Sequence, residues 1–134
     1  MSTPHHVRTA GQVPAIPGAV RAGSLVVTSG VVAPTALARL TDPGMAAVPV
    51  AQQVTEALET LLSTLAEAGA SPADVIKVEA FLRDAKDLAV WDAEFVKVWP
   101  RPGPARTTVV LGLAAPTLAI ELQATAVVGD DRPR

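Results

Sequence analysis

Residues 56 to 84 read EALETLLSTLAEAGASPADVIKVEAFLRD, and two different periods meet inside them. Carried back to Val50, the first half places Val50, Val54, Leu58, Leu61, Leu62 and Leu65 at helical spacing, with Glu56, Glu59 and Glu67 on the surface around that stripe. Gly69 supplies the stop, as glycine does just past a helix end. SPAD, Ser71 to Asp74, reads as a capped turn. From Val75 to Arg83 the period falls to two: Ile76, Val78, Ala80 and Leu82 alternate with Lys77, Glu79 and Arg83, the pattern of a strand with one face in a core.

Working outward from this helix, turn and strand, the flanks supply the rest of one sheet. SLVVTSG, Ser24 to Gly30, is β-branched and closes on Gly30, so it predicts a strand running into a tight turn, with GAVRAG before it as the hairpin partner. Residues 31–49 carry three prolines and a DPG turn signal, which predicts a loop with one short edge strand. A second helix is expected from about Asp87 to Trp99, burying Leu88, Trp91, Phe95 and Val98 or Trp99, and PRPGP ends it. ARTTVVLG and LAIELQATAVV then give two closing strands on either side of a turn around LAAPT.

The expected order is β-β-α-β-α-β-β, a single α+β domain over residues 1–134, with an ordered core at about 7–128 and a flexible GDDRPR tail from 129. Both helices carry one apolar stripe, so both cover the same face of the sheet. In the last strand Leu118, Ile120, Leu122, Ala124, Ala126 and Val128 point one way. Ala119, Glu121, Gln123, Thr125 and Val127 point the other, with no helix left to cover them. Such a face is usually closed by another subunit, which predicts a homo-oligomer.

Composition narrows the chemistry. The 134 residues, 49% of them hydrophobic, suit one compact domain. A net charge of −2 with eleven scattered basic residues offers no stripe to track a phosphate backbone, so nucleic acid is not the expected partner. With no cysteine, disulfides, thiolate metal sites and a cysteine nucleophile are excluded. His5 and His6 sit next to Pro4 in what reads as a mobile end, not a metal site. Ser29 reads as a turn residue, since no histidine follows it to act as its base. The start of the chain has neither a signal-peptide pattern nor a membrane span, and a cytoplasmic protein is expected.

Two charges stand where strands are expected. Arg106 opens a β-branched run directly after the proline-rich loop, and Glu121 lies on the open face of the last strand. On the residues alone, Arg106 reads first as the structural partner of an acidic neighbour, with Glu121 closing the pair. Trp91 and Trp99, at helical spacing, read as core.

Taken together, TSG at the end of an early strand, the block from 56 to 84, GPART at the start of a strand and IELQATAVV in the last strand resemble the RidA/YjgF family of imine and enamine deaminases. The resemblance runs from about Ile16 to Val128 and rests on four pieces in the right order. It implies a chorismate-mutase-like fold, assembled as a homotrimer whose sheets form a barrel and whose pockets lie at subunit interfaces. It also implies hydrolysis of 2-imino and enamine acids to 2-oxo acids and ammonia, without metal or cofactor.

By the same resemblance Arg106 holds the substrate carboxylate in a two-pronged pair, Glu121 serves the attacking water, and Ser29 and Gly30 line the pocket. A guanidinium matches a carboxylate with parallel N–H donors and stays charged. One carboxyl can take a proton from water and return it to the leaving nitrogen.

This sequence departs from the family at three of the pocket positions. Ile16 stands where many members have a tyrosine, Val31 where a glutamine is common, and Asp92 where an asparagine is common. Pro100, Pro102 and Pro104 also stiffen the loop before Arg106. A more apolar mouth implies a bulkier or more hydrophobic substrate. The alternatives are a trimer that binds carboxylates or 2-oxo acids without turning them over, and an endoribonuclease or translation inhibitor, for which the charge balance is poorly suited.

Overall fold

A computed structural model of the chain describes residues 3–7, 15–40 and 47–129. The strands are β1 (His5–Val7), β2 (Ala19–Ala22), β3 (Leu25–Thr28), β4 (Val75–Leu82), β5 (Ala105–Val110) and β6 (Ile120–Val127). The helices are α1 (Pro34–Ala38), α2 (Val50–Glu67) and α3 (Leu88–Val98). The strands form one mixed sheet in the order β1-β2-β3-β6-β4-β5, antiparallel except for β4 and β5. α3 is the crossover that makes those two parallel, and β5 is left as an edge strand.

α2 ends as its sequence dictates. Gly69 takes φ +86°, the Gly69 N–H donates to the Ala66 carbonyl at 2.9 Å, and the Ala70 N–H donates to the Leu65 carbonyl at 2.8 Å. These two bonds satisfy the last carbonyls of the helix. Ser71 and Asp74 form the expected reciprocal cap around a 3-10 turn, Pro72–Asp74. α2 and α3 cover one face of the sheet with a core that includes Val54, Leu58, Leu61 and Leu65 of α2, Trp91 and Phe95 of α3, and Val78, Leu122 and Ala126 of the sheet.

Along the last strand and its flanks Leu118, Ile120, Leu122, Ala124, Ala126 and Val128 are buried and Glu121, Gln123, Thr125 and Val127 remain partly open, as expected, but Ala119, read with the outward set, is buried as well. Gln53 fixes where that strand begins. Buried in α2, it donates to the carbonyls of Val48 and Thr117 and accepts from the Ala119 N–H at 2.9 Å. A buried amide with its bonds made holds its neighbours in one arrangement.

Four further local expectations are corrected. Residues 34–38, read within a loop, form α1: Pro34 suits a first turn, and a second small core of Ala33, Ala36, Val48 and Leu118 buries its inner side. The DPG turn lies outside the described residues, as does the tail from 130 on.

His5 and His6, read as part of a mobile end, belong to β1, where they pair with Arg21 and Val20 while Val7 is buried. Ile76 is exposed, because the β4–β6 register shifts between Val75 and Lys77 and turns Val75 inward in its place. Leu88 is also exposed, at the start of α3.

Candidate functional site

The β4–β5 register pairs Val78 with Arg106, Ala80 with Thr108 and Leu82 with Val110. Paired residues share a face, and Val78, Ala80 and Leu82 are buried on the helix side. Arg106 and Thr108 therefore project beneath α3. The Arg106 guanidinium lies 4.9 Å from the centre of the Phe95 ring and 5.9 Å from that of Trp91, an aromatic shelf that suits a cation.

The Arg106 Nη2 stands 2.7 Å from Asp92 Oδ1, with the two side chains 28% and 47% exposed. This is an ion pair without the angle of a hydrogen bond, so Oδ1 is buried yet has no hydrogen-bond partner. The structural ion pair read for Arg106 from the sequence thus exists, but with Asp92 and not with Glu121.

Beside the guanidinium opens a cleft of about 330 Å³ lined by Leu82, Ala85, Leu88, Arg106, Thr108 and Val110. Its walls are aliphatic apart from Arg106 and Thr108. Two further polar atoms in this region, Thr108 Oγ1 and Trp91 Nε1, are buried with no partner among the described residues. Unsatisfied buried groups are rare in folded proteins, and a ligand that hydrogen-bonds is one way to supply what they lack.

Glu121 is on the other side of the sheet. It pairs with Phe81, and its neighbour Gln123 donates from Nε2 to Glu79 Oε1 at 3.1 Å, across the face that the helices leave open. Gly30 lies against it. A Cβ built on Gly30 would fall 2.8 Å from Glu121 Cδ and 3.1 Å from Cγ. Gly30 does not have a positive φ, so the tight-turn reason given for it is corrected. What the position needs is room for a carboxylate.

Ser29 beside it donates from Oγ to the Pro17 carbonyl at 2.6 Å, which ties the segment after β3 to the approach to β2. Val31 is buried and bridges Leu122, with backbone bonds of 2.7 and 2.9 Å in the two directions. Ile16 is 52% exposed.

Apart from the exposed Ile16, the expected site residues therefore fall into two groups in one chain. Arg106 and Asp92 form one, on the helix side at the open edge. Ser29, Gly30 and Glu121 form the other, on the open face, with the buried Val31 behind them. Sequence reasoning missed the Trp91 and Phe95 shelf and the Thr108 hydroxyl. The signal for Thr108 was its place two residues after Arg106 on the same strand, which puts both on one face.

Among the described residues no group of three His, Cys, Asp or Glu stands close enough to hold a metal ion. Among the same residues no helix is long and apolar enough to cross a membrane.

Residues 13–128 match the family model described as Endoribonuclease L-PSP. The chain is similar to the mitochondrial protein mmf2 of Schizosaccharomyces pombe, 33% identical over 94 residues and 70% of each chain. It is similar to the 3-aminoacrylate deaminase RutC of Acinetobacter baylyi, 36% identical over 76 residues, which cover 57% of this chain and 60% of that one. Among solved structures, a YjgF/YER057c/UK114 family member from Mycobacterium tuberculosis superposes with a TM-score of 0.76 at 25% identity, covering 94% of this chain and 100% of that one.

Proposed function

The chain belongs to the YjgF/RidA family, and on that premise we propose that it hydrolyses 2-imino and enamine acids to 2-oxo acids and ammonia, at a site shared between copies in a homotrimer. In the iminium form the reaction takes up one water: C=NH2⁺ becomes C=O and the nitrogen leaves as ammonium. Arg106 of one copy holds the substrate carboxylate, and Glu121 of a neighbouring copy takes a proton from the attacking water and passes one to the departing nitrogen.

The observation that carries this reading is the separation of the two groups. Arg106 and Glu121 project to opposite sides of one sheet, so a single chain cannot present both to a small substrate. The edge strand β5 and the uncovered face of β6 are the surfaces that a second copy can bring together. The similarity to a 3-aminoacrylate deaminase supports the reaction class.

The cleft beside Arg106 supports the finer reading of the substrate. Leu82, Ala85, Leu88 and Val110 give an apolar wall of a size for a branched or aromatic side chain. Imines derived from leucine or phenylalanine are the expected substrates in preference to the smallest ones.

Ammonia release from imino acids generated in situ by an amino-acid oxidase tests the proposal. The native protein accelerates release over spontaneous hydrolysis and Arg106→Ala does not. No acceleration with any imine would leave a carboxylate-binding trimer as the better account.

A further inference from the structure

We propose that Arg106 and Asp92 act together as a clamp for the two charges of an α-iminium carboxylate. The site then takes the protonated imine, and the parent amino acid as a competing ligand, in preference to the 2-oxo acid that hydrolysis yields. The inference rests on the deaminase reading for its substrate, but its own content is a binding preference.

The reason lies in how Arg106 is already occupied. Its Nη2 is 2.7 Å from Asp92 Oδ1, so the guanidinium is not a bare cation waiting for an anion. A ligand that brings only a carboxylate has to draw the guanidinium toward itself. It then leaves Asp92, a second negative charge, close by and less well compensated.

A ligand with a cationic nitrogen on the carbon next to its carboxylate escapes that conflict. Its carboxylate lies against Arg106 while its N–H groups donate to Asp92, and four alternating charges close into a ring. Asp92 has the capacity for this: Oδ1 is buried against the guanidinium, but the side chain as a whole is 47% exposed, which leaves its outer edge open to the ligand's N–H groups. Charge-assisted bonds of this kind are the strong ones.

The preference also gives product release a physical cause. Hydrolysis replaces C=NH2⁺ by C=O, removing the positive charge and both N–H donors in one step. The 2-oxo acid keeps its carboxylate on Arg106 but offers Asp92 only an acceptor oxygen. The contact that favoured the substrate becomes a repulsion against the product. A neutral enamine carries no cation and gains less from Asp92 than the iminium does.

Calorimetric titration of the full-length protein with stable ligand pairs tests this: L-leucine against 4-methyl-2-oxopentanoate, and L-phenylalanine against phenylpyruvate. The ammonium of the amino acid stands in for the iminium. The native protein binds each amino acid about five- to tenfold more tightly than its 2-oxo acid. Asp92→Asn weakens the amino acid and strengthens the 2-oxo acid, inverting the order, and Arg106→Ala loses both.

Equal or tighter binding of the 2-oxo acid by the native protein overturns the clamp without recourse to any variant. So does an unchanged ratio in Asp92→Asn, and so does failure of every ligand to bind. Ammonia release measured alongside separates the two ideas: turnover without the preference sinks the clamp alone, and the preference without turnover sinks the deaminase reading alone.

Discussion

Arg106 and Glu121 stand on opposite faces of one sheet, with β4 between their strands. If catalysis needs both, each site takes one from each of two copies, and this has a consequence that point mutation alone does not reveal. Arg106→Ala and Glu121→Gln should each abolish turnover. When the two variants are unfolded together and refolded as a mixture, some interfaces recover an intact Arg106 from one chain and an intact Glu121 from the other. Random assembly restores about one quarter of the sites. Activity returning to that level identifies a shared site. A mixture as inactive as its parents would mean that each chain acts alone.

Gly30 sits so close to Glu121 that a methyl group there has to move something. The atoms it meets are the carboxyl end of a flexible side chain, 2.8 Å from the new carbon at Cδ, and not the backbone. Gly30→Ala should therefore spare the fold and displace the carboxylate. The expected result is a fall in kcat of about a hundredfold, the scale of a lost general base, with the melting temperature nearly unchanged and carboxylate binding at Arg106 retained. Loss of binding and of stability together would show that Gly30 serves the fold.

The features legible in the sequence are those fixed within a few residues. α2 has its stripe and its glycine stop, and the turn after it its cap, in one contiguous stretch, and all of them appear where the spacing puts them. Features set by a distant partner are not legible. Ile76 alternates correctly with Lys77 along the chain, yet it turns outward because β4 slips one position against β6. His5 and His6 look like a loose end until β2 is there to pair with them. α1 is too short to show a period.

At the site, the motif picked out Arg106 but not its partner or its face. Both follow from the register with Val78 and from the packing of α3, and neither is encoded near residue 106.

Glu56 joins α1 to α2, accepting the Thr35 N–H at 3.0 Å and a bond from Gln52 Nε2 at 2.6 Å. Partial burial alone would raise its pKa. The bonds from Thr35 and Gln52, with the charge of Arg39, outweigh that and hold it below the usual 4.5. A carboxyl whose folded pKa is depressed contributes stability that is fully present above its unfolded value and is lost as pH falls through the folded one. The docking of α1 should therefore persist down to about pH 4.5 and weaken below it. The Thr35 amide resonance, followed by NMR, should shift with a midpoint below 4.5, and Glu56→Gln should remove that titration. A midpoint above 4.5 would contradict the assignment.

Leu88 offers the cleanest test of what fills the cleft. It opens α3 with 41% of its surface exposed, outside the main core, yet it lines the cleft with Leu82, Ala85 and Val110 beside Arg106. Truncation at an exposed position costs the fold little, so Leu88→Ala should act mainly on the ligand. A large apolar substrate side chain that covers Leu88 loses about 1 kcal/mol of burial when the wall recedes, roughly a fivefold drop in kcat/KM. A substrate with a single methyl group does not reach that wall and should be unaffected. Measuring both imines with the native protein and with Leu88→Ala separates the cases. A drop confined to leucine- and phenylalanine-derived imines places their side chains in this cleft. An equal drop for both sizes would mean that Leu88 matters to the fold or the assembly and that substrate side chains lie elsewhere.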